Sequence, residues 1–154
     1  MFSRTVEYGL RAMVCLASST PEQLTAEEIA DRARLRRGYV SKIMRNLVRA
    51  GLVQSQRGPK GGFVLARDPD SIAILDIVNA VDAVVRIDKC PMGNPAHLRL
   101  CSLHKRLDDA IADIEQILRT TRLTDVLEPT SPVAPAEIRV IARELAREDA
   151  TLHS

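Results

Sequence analysis

Tryptophan is absent from this 154-residue chain, and the other aromatics are four: Phe2, Tyr8, Tyr39 and Phe63. That scarcity argues against a stacking platform for single-stranded nucleic acid, which needs successive aromatic faces. No apolar run approaches the ~20 residues that a membrane-spanning helix requires. The opening stretch MFSRTVEYGLRAMVCLASS suggests a leader, but Glu7 and Arg11 interrupt it and no clear cleavage site follows. The cytoplasm is therefore the expected compartment, and no membrane partner is expected. In that compartment the three cysteines read as thiols or metal ligands rather than as a disulfide framework. A nucleophile motif, a phosphate-binding loop and an internal repeat are also lacking. Carboxylates cluster only along one helix face, so neither enzymatic activity nor a small-molecule substrate is expected.

The most telling absence is of acid. Between Arg32 and Arg67 there is no Asp or Glu, while ten bases (Arg32, Arg34, Arg36, Arg37, Lys42, Arg45, Arg49, Arg57, Lys60, Arg67) crowd the segment. The chain holds 22 Lys and Arg against 20 Asp and Glu, so removing those ten leaves 12 bases facing 20 acids elsewhere. A one-signed block inside an otherwise acidic chain reads as a surface for phosphate.

The pattern beneath the charge is regular. Residues 4–18 have Val6, Leu10, Met13, Val14 and Ala17 on one side at helical spacing, and Cys15 sits among them as a small core residue. STPEQLT breaks that helix. Thr25 and Glu28 then form a capping box that opens a second, short helix, AEEIADRARL, with Ile29, Ala30 and Ala33 inward. A third helix, RRGYVSKIMRNLVRAGL, buries Val40, Ile43, Met44, Leu47 and Val48, and Gly51 ends it. Two short strands, Val53 to Gln56 and Phe63 to Ala66, flank the tip RGPKGG.

Helix, helix, helix and basic hairpin make a winged helix-turn-helix, in which one helix enters the major groove and the hairpin reaches the neighbouring backbone or minor groove. A further helix is expected over residues 72–81. A long amphipathic helix is then expected through CSLHKRLDDAIADIEQILRTTRLTDVL. It carries Leu103, Leu107, Ile111, Ile114 and Leu118 on one side and an outer face of Asp108, Asp109, Asp113 and Glu115. So long a helix on so small a domain is expected to pack on its twin in a homodimer. EPTSPVAP reads as a linker before a last short helix with Ile138, Ile141 and Leu145 on one side. The fold class is mainly α with a small β-hairpin. The winged helix-turn-helix occupies residues 1–82, a sensor loop and dimerisation helix residues 83–128, and a linker and tail residues 129–154.

From the first helix to about Leu127, and most specifically in RGYVSKIMRNLVRAGLVQSQRGPKGGFVLARDPDSIAILDIVNAVD, the chain resembles the Rrf-two family of bacterial transcription regulators. The resemblance implies a dimer on a palindromic double-stranded DNA operator, acting as a repressor. It places Tyr39 toward DNA and Arg57 in the minor groove. The chemistry of the residues agrees. Arg36, Arg37, Tyr39, Ser41, Lys42 and Arg45 lie at the start or on the polar side of the third helix. Arg37 is the candidate base reader, since a guanidinium grips a guanine edge with two hydrogen bonds. Lys42, Arg45, Arg49 and Lys60 are cast as phosphate contacts.

The stretch DKCPMGNPAHLRLCSLHK concentrates Cys90, His97, Cys101 and His104 as C-x6-H-x3-C-x2-H. Many members of the resembled family hold an iron–sulfur cluster, here a 2Fe-2S cluster, on three cysteines of this loop, and one branch adds a histidine. Cys90, Cys101 and His104 match three of those positions, the middle cysteine is missing, and His97 stands near the gap. Some members add an acid of the first helix, where this chain has Glu7. Three other readings remain open: tetrahedral zinc on two cysteines and two histidines, a thiol switch of Cys90 and Cys101, and an ordinary loop on a DNA-binding or partner-assembly protein that senses nothing.

Overall fold

In a computed structural model of the chain, residues 3–59, 61–89 and 100–127 are described. Helix α1 spans Arg4–Ser18, and the Ser3 hydroxyl accepts a hydrogen bond from the Val6 amide at 3.3 Å to cap it. It buries Val6, Leu10, Ala12, Met13, Val14, Cys15 and Leu16, which together occupy most of its circumference. A helix so widely apolar has to be wrapped by other elements. On the side toward residue 81, Gly9 makes room for it: a Cβ there would lie 3.1 Å from Val81 Cγ1.

Helix α2, Ala26–Arg32, starts at the expected capping box. Glu28 N–H donates to Thr25 Oγ1 at 3.2 Å and Thr25 N–H donates to Glu28 Oε2 at 2.7 Å. The hydrogen bond from the Thr25 amide holds the Glu28 carboxyl below its ordinary pKa. The helix stops earlier than expected because Arg34 takes a left-handed φ of 53° and Leu35 N–H closes on Ala30 C=O at 2.7 Å. Helix α3, Arg37–Arg49, ends in the same way. There Gly51 supplies the positive φ of 69°, and Leu52 N–H donates to Leu47 C=O at 3.0 Å. Val40, Ile43, Met44 and Leu47 are buried, whereas Val48 is only partly so.

The wing is an antiparallel pair, β1 (Val53–Gln56) and β2 (Gly62–Leu65), in a register that sets Val53 opposite Leu65 and Gln56 opposite Gly62. Its second strand begins and ends one residue earlier than the sequence pattern suggests. Leu24 and Phe63 exchange backbone hydrogen bonds of 3.1 and 2.8 Å, which ties the wing to the residue before the Thr25 cap. The approach is close enough that a Cβ on Gly62 would lie 2.8 Å from Leu24 C=O. After a 3-10 turn at Pro69–Ser71 comes α4, Ile74–Val81, whose Ile77 and Val78 pack into the core.

The long helix expected over residues 101–127 is broken. Helix α5 spans Ser102–Thr120, Thr121 is extended (φ −80°, ψ 128°), and a short α6 occupies Leu123–Leu127. Two features cause the break. The Thr120 and Thr121 hydroxyls donate back to Gln116 C=O and Ile117 C=O at 3.0 and 2.8 Å, a local competitor to continued helix. The chain then pairs with the start of α4: Ile74 N–H donates to Thr121 C=O and Leu123 N–H to Ile72 C=O, both at 2.9 Å. This turn carries Leu123 (0% exposed) and Val126 (3% exposed) into the core. Burial of such side chains stabilises by ~1.5–3 kcal/mol each, more than one broken helical turn costs. The linker and tail of residues 129–154 lie outside the described residues.

Candidate nucleic-acid interface and sensor loop

The buried stripe of α3 fixes its opposite side to solvent. Arg36, Arg37, Tyr39, Ser41, Lys42, Arg45 and Arg49 are all exposed, as is Arg57 where the wing loop begins. Lys60, at the wing tip, lies outside the described residues. Among the described residues Arg36, Lys42, Arg45, Arg49 and Arg57 have no carboxylate partner, so their charge faces water uncompensated. Arg37 differs. Its Nη1 lies 2.5 Å from Glu27 Oε1 and its Nη2 lies 3.5 Å from Asp31 Oδ1, both on α2. The candidate base reader thus leans on the neighbouring helix.

Tyr39 is 48% exposed and stands edge-on to Tyr8 of α1, with ring centroids 5.9 Å apart and planes at 78°. Tyr8 escaped the sequence reading. No local signal marks it, because only the packing of α1 on α3 brings it to Tyr39.

The described residues on either side of 90–99 are attached to α5. On one side, Cys101 is the N-cap residue of that helix, and its Sγ lies 3.1 Å from His104 Nδ1 one turn on. With metal–sulfur and metal–nitrogen bonds of ~2.3 and ~2.0 Å, two ligands on one tetrahedral ion stand ~3.5 Å apart. The pair therefore fits one edge of such a site. Cys90 and His97 lie outside the described residues. Glu7 is ion-paired with Arg11 one turn along α1. Among the described residues no three His, Cys, Asp or Glu side chains gather where they could hold a metal.

On the other side, Arg86 forks onto Asp108 of α5. Nε and Nη2 donate to the two carboxylate oxygens at 2.7 and 2.6 Å, and Ile87 N–H donates to Asp108 Oδ1 at 2.9 Å. Glu115 adds a longer contact to Arg86 at 3.8 Å. The Arg86 hydrogen bonds, with that from Ile87, lower the Asp108 carboxyl to a pKa of about 2. Asp108 and Glu115 were expected on an outer acidic face, but they point inward, with side chains 16% and 24% exposed. Inward also lie Ile111 and Leu118, whereas Leu103 (61% exposed), Leu107 (46%), Ile114 (46%) and Ile117 (58%) face solvent. The predicted apolar stripe is thus divided: part of it serves the body of the domain and part stands outside.

A three-helix core with a basic wing, and a third helix on which Lys42, Arg45 and Arg49 have no carboxylate partner among the described residues, is the architecture of a winged-helix DNA-binding regulator. The Rrf2 (Rrf-two) family model, described as an iron-dependent transcriptional regulator, matches residues 2–129. The HTH-type transcriptional regulator IscR of Cereibacter sphaeroides is 33% identical over 144 residues, 87% of this chain and 93% of that protein. Among solved structures, IscR of T. potens is similar at a TM-score of 0.70 and 26% identity, covering 88% of this chain and 92% of that one. CymR, the global cysteine regulator of B. subtilis, is similar at 0.67 and 26%, covering 82% and 95%. The chain belongs to the Rrf2 family of DNA-binding transcription regulators, which are not enzymes. No helix among the described residues is long and apolar enough to cross a membrane.

Because the Asp108 carboxyl titrates near 2 when folded, against ~3.9 when unfolded, its contribution to stability is present above about pH 4 and disappears toward pH 2. Urea midpoints of the wild type and Asp108→Asn should differ by a constant amount from pH 7 to 5 and converge at about pH 2. An equal gap at both extremes would contradict the Arg86 clamp.

Proposed function

We propose that the chain is a repressor that binds a palindromic operator as a homodimer, with a loop that senses redox state, iron or nitric oxide. The observation that carries the DNA reading is the exposed cationic face of α3, where Arg36, Lys42, Arg45 and Arg49 have no carboxylate partner among the described residues, together with Arg57. Arg37 reads a base edge in the major groove beside Arg36, Tyr39 and Ser41, while Lys42, Arg45, Arg49 and Lys60 contact phosphates and Arg57 enters the minor groove. Phosphate contacts of this kind release counterions, so each adds ~0.9 to the steepness of the salt dependence.

Dimerisation is supported by the outer side of α5. Leu103, Leu107, Ile114 and Ile117 are exposed at spacings of four, seven and three, the steps of a helix that packs against another helix. A second copy of the same helix is the occupant proposed, because an isologous contact doubles the seam and sets two recognition helices on one palindrome.

In the sensing reading Cys90, Cys101 and His104 hold a 2Fe-2S cluster, with His97 in place of the missing cysteine and Glu7 as a further ligand once its pairing with Arg11 opens. Histidine replaces cysteine on iron in some such clusters, and the family description names iron dependence. A bound cluster would supply a redox-sensitive crosslink between the two ends of the loop. Arg86 and Asp108 hold one end of that loop on α5 and Cys101 starts the same helix, so a change in the loop bears on the helix that spaces the two DNA-reading faces. A cluster-free thiol switch is the second reading, favoured by the 3.1 Å approach of His104 to the Cys101 sulfur. Bound zinc suits the same two atoms.

Lys42→Ala and Arg57→Ala should each weaken operator binding several-fold in gel shifts and flatten its salt dependence. Unchanged affinity in both would refute the DNA assignment. Ile114→Glu should convert the dimer to a monomer in sedimentation experiments, with retained helicity; a dimer that survives would place the interface elsewhere. Anaerobic purification with metal and sulfide analysis separates the sensing readings. Brown protein with iron and sulfide is expected, stoichiometric zinc without colour supports the zinc reading, and colourless, metal-free protein excludes both.

A further inference from the structure

Beside the recognition helix lies a small concave site that the basic block of the sequence does not announce. It has a volume of about 120 Å3 and is lined by Arg4, Thr5 and Tyr8 of α1 and by Arg36 and Tyr39 at the start of α3. No carboxylate lines it. Among the described residues neither Arg4 nor Arg36 has an ion-pair partner, whereas Arg11, Arg37, Arg67, Arg86 and Arg119 are all paired with acids. Two guanidiniums across one hollow repel each other, and an anion between them reverses the sign of that interaction. The edge-to-face stack of Tyr8 on Tyr39 ties the α1 wall of the hollow to the α3 wall, and each phenol adds a hydroxyl donor. The hollow is far above the ~10–15 Å3 that one water needs on the same measure, and has room for the head of a phosphodiester.

We infer that this hollow between α1 and α3 seats one backbone phosphate of the operator, with Arg4 and Arg36 as its cationic walls. The inference rests on the DNA-binding reading and extends it, because it brings the start of α1 into the interface and adds Arg4 to its residues. Two features favour a phosphodiester over a free phosphate as occupant. Arg36 and Tyr39 already belong to the DNA-facing surface, and the hollow opens beside them. Arginine also presents its donors in a fork that matches two oxygens of one phosphate.

The test uses the full-length protein and a duplex selected on it from a random-sequence pool. Arg4→Gln should lower affinity for that duplex roughly tenfold at moderate salt and reduce the slope of log K against log salt by ~0.9 per subunit. Discrimination between the selected and a scrambled duplex should stay unchanged, since phosphate contacts carry no sequence information. Arg4→Lys should restore most of the slope, which a merely structural role for Arg4 would not do. Arg4→Gln with wild-type affinity and slope, while Lys42→Ala weakens binding, overturns the phosphate seat and leaves the DNA reading standing. A saturable response to inorganic phosphate that Arg4→Gln abolishes, with DNA affinity unaltered, assigns the hollow to free phosphate and overturns the operator assignment. A pool in which no duplex is enriched refutes the seat and the DNA reading together.

Discussion

Burial of α1 on most of its circumference is the constraint on which the rest of the domain depends. Helix α2, α3, α4, α6 and the second strand of the wing all pack against it. Each of these supplies only one apolar face and could not be buried alone. The recognition helix is held at a fixed tilt because Val40, Ile43, Met44 and Leu47 have this shared core to enter. The wing is fixed because Leu24, buried in the same core, pairs with Phe63. The side chains of the candidate interface therefore stand on elements packed into the core, and Arg86 and Cys101, on either side of residues 90–99, are both attached to α5.

The elements with strong local signals were legible in the sequence. Helix α1, the Thr25–Glu28 capping box, the first strand of the wing and the left-handed glycine after α3 are local features, each decided by a few neighbouring residues. The break at Thr121 was not legible. Within RTTRLTDVL the two threonines weaken the helix only locally, and the turn is completed because Leu123 and Val126 find the core at the price of one helical turn. The two sides of α5 were misassigned for a related reason. Periodicity gives the width of an apolar stripe but not which of its edges meets the body. Asp108 looked like a solvent-facing acid until Arg86, 22 residues earlier, came to meet it. Of the candidate site, the composition of the cationic face was legible, and so was the neighbourhood of Cys101 and His104. Arg4 and Tyr8 were not, since they lie far in sequence from the basic block and reach it only through the packing of α1 on α3.

The two proposed activities meet in α5. Its inner side carries Cys101, His104 and Asp108, and its outer side carries the exposed leucines and isoleucines. Chemistry at the start of the helix and contact with a second copy thus act on one rigid body about 28 Å long, for 19 residues at ~1.5 Å each. In the proposed function, sensing and spacing therefore share this one helix. A small rotation at the root of such a rod is carried along its whole length, where two separate short helices would absorb it.

In the proposed complex, the pairing of Arg37 with Glu27 and Asp31 makes α2 a rival of the DNA for that guanidinium. Any duplex that recruits this guanidinium must first detach it from two carboxylates, and those carboxylates then face the approaching phosphates. A lone phosphate oxygen replaces one anionic contact with another and gains little. A guanine edge offers O6 and N7 side by side and provides two directed bonds in return. On the proposed reading, the acids of α2 weigh modestly against sites that lack the matching base, because an exposed pairing given up by Arg37 has to be replaced in the complex.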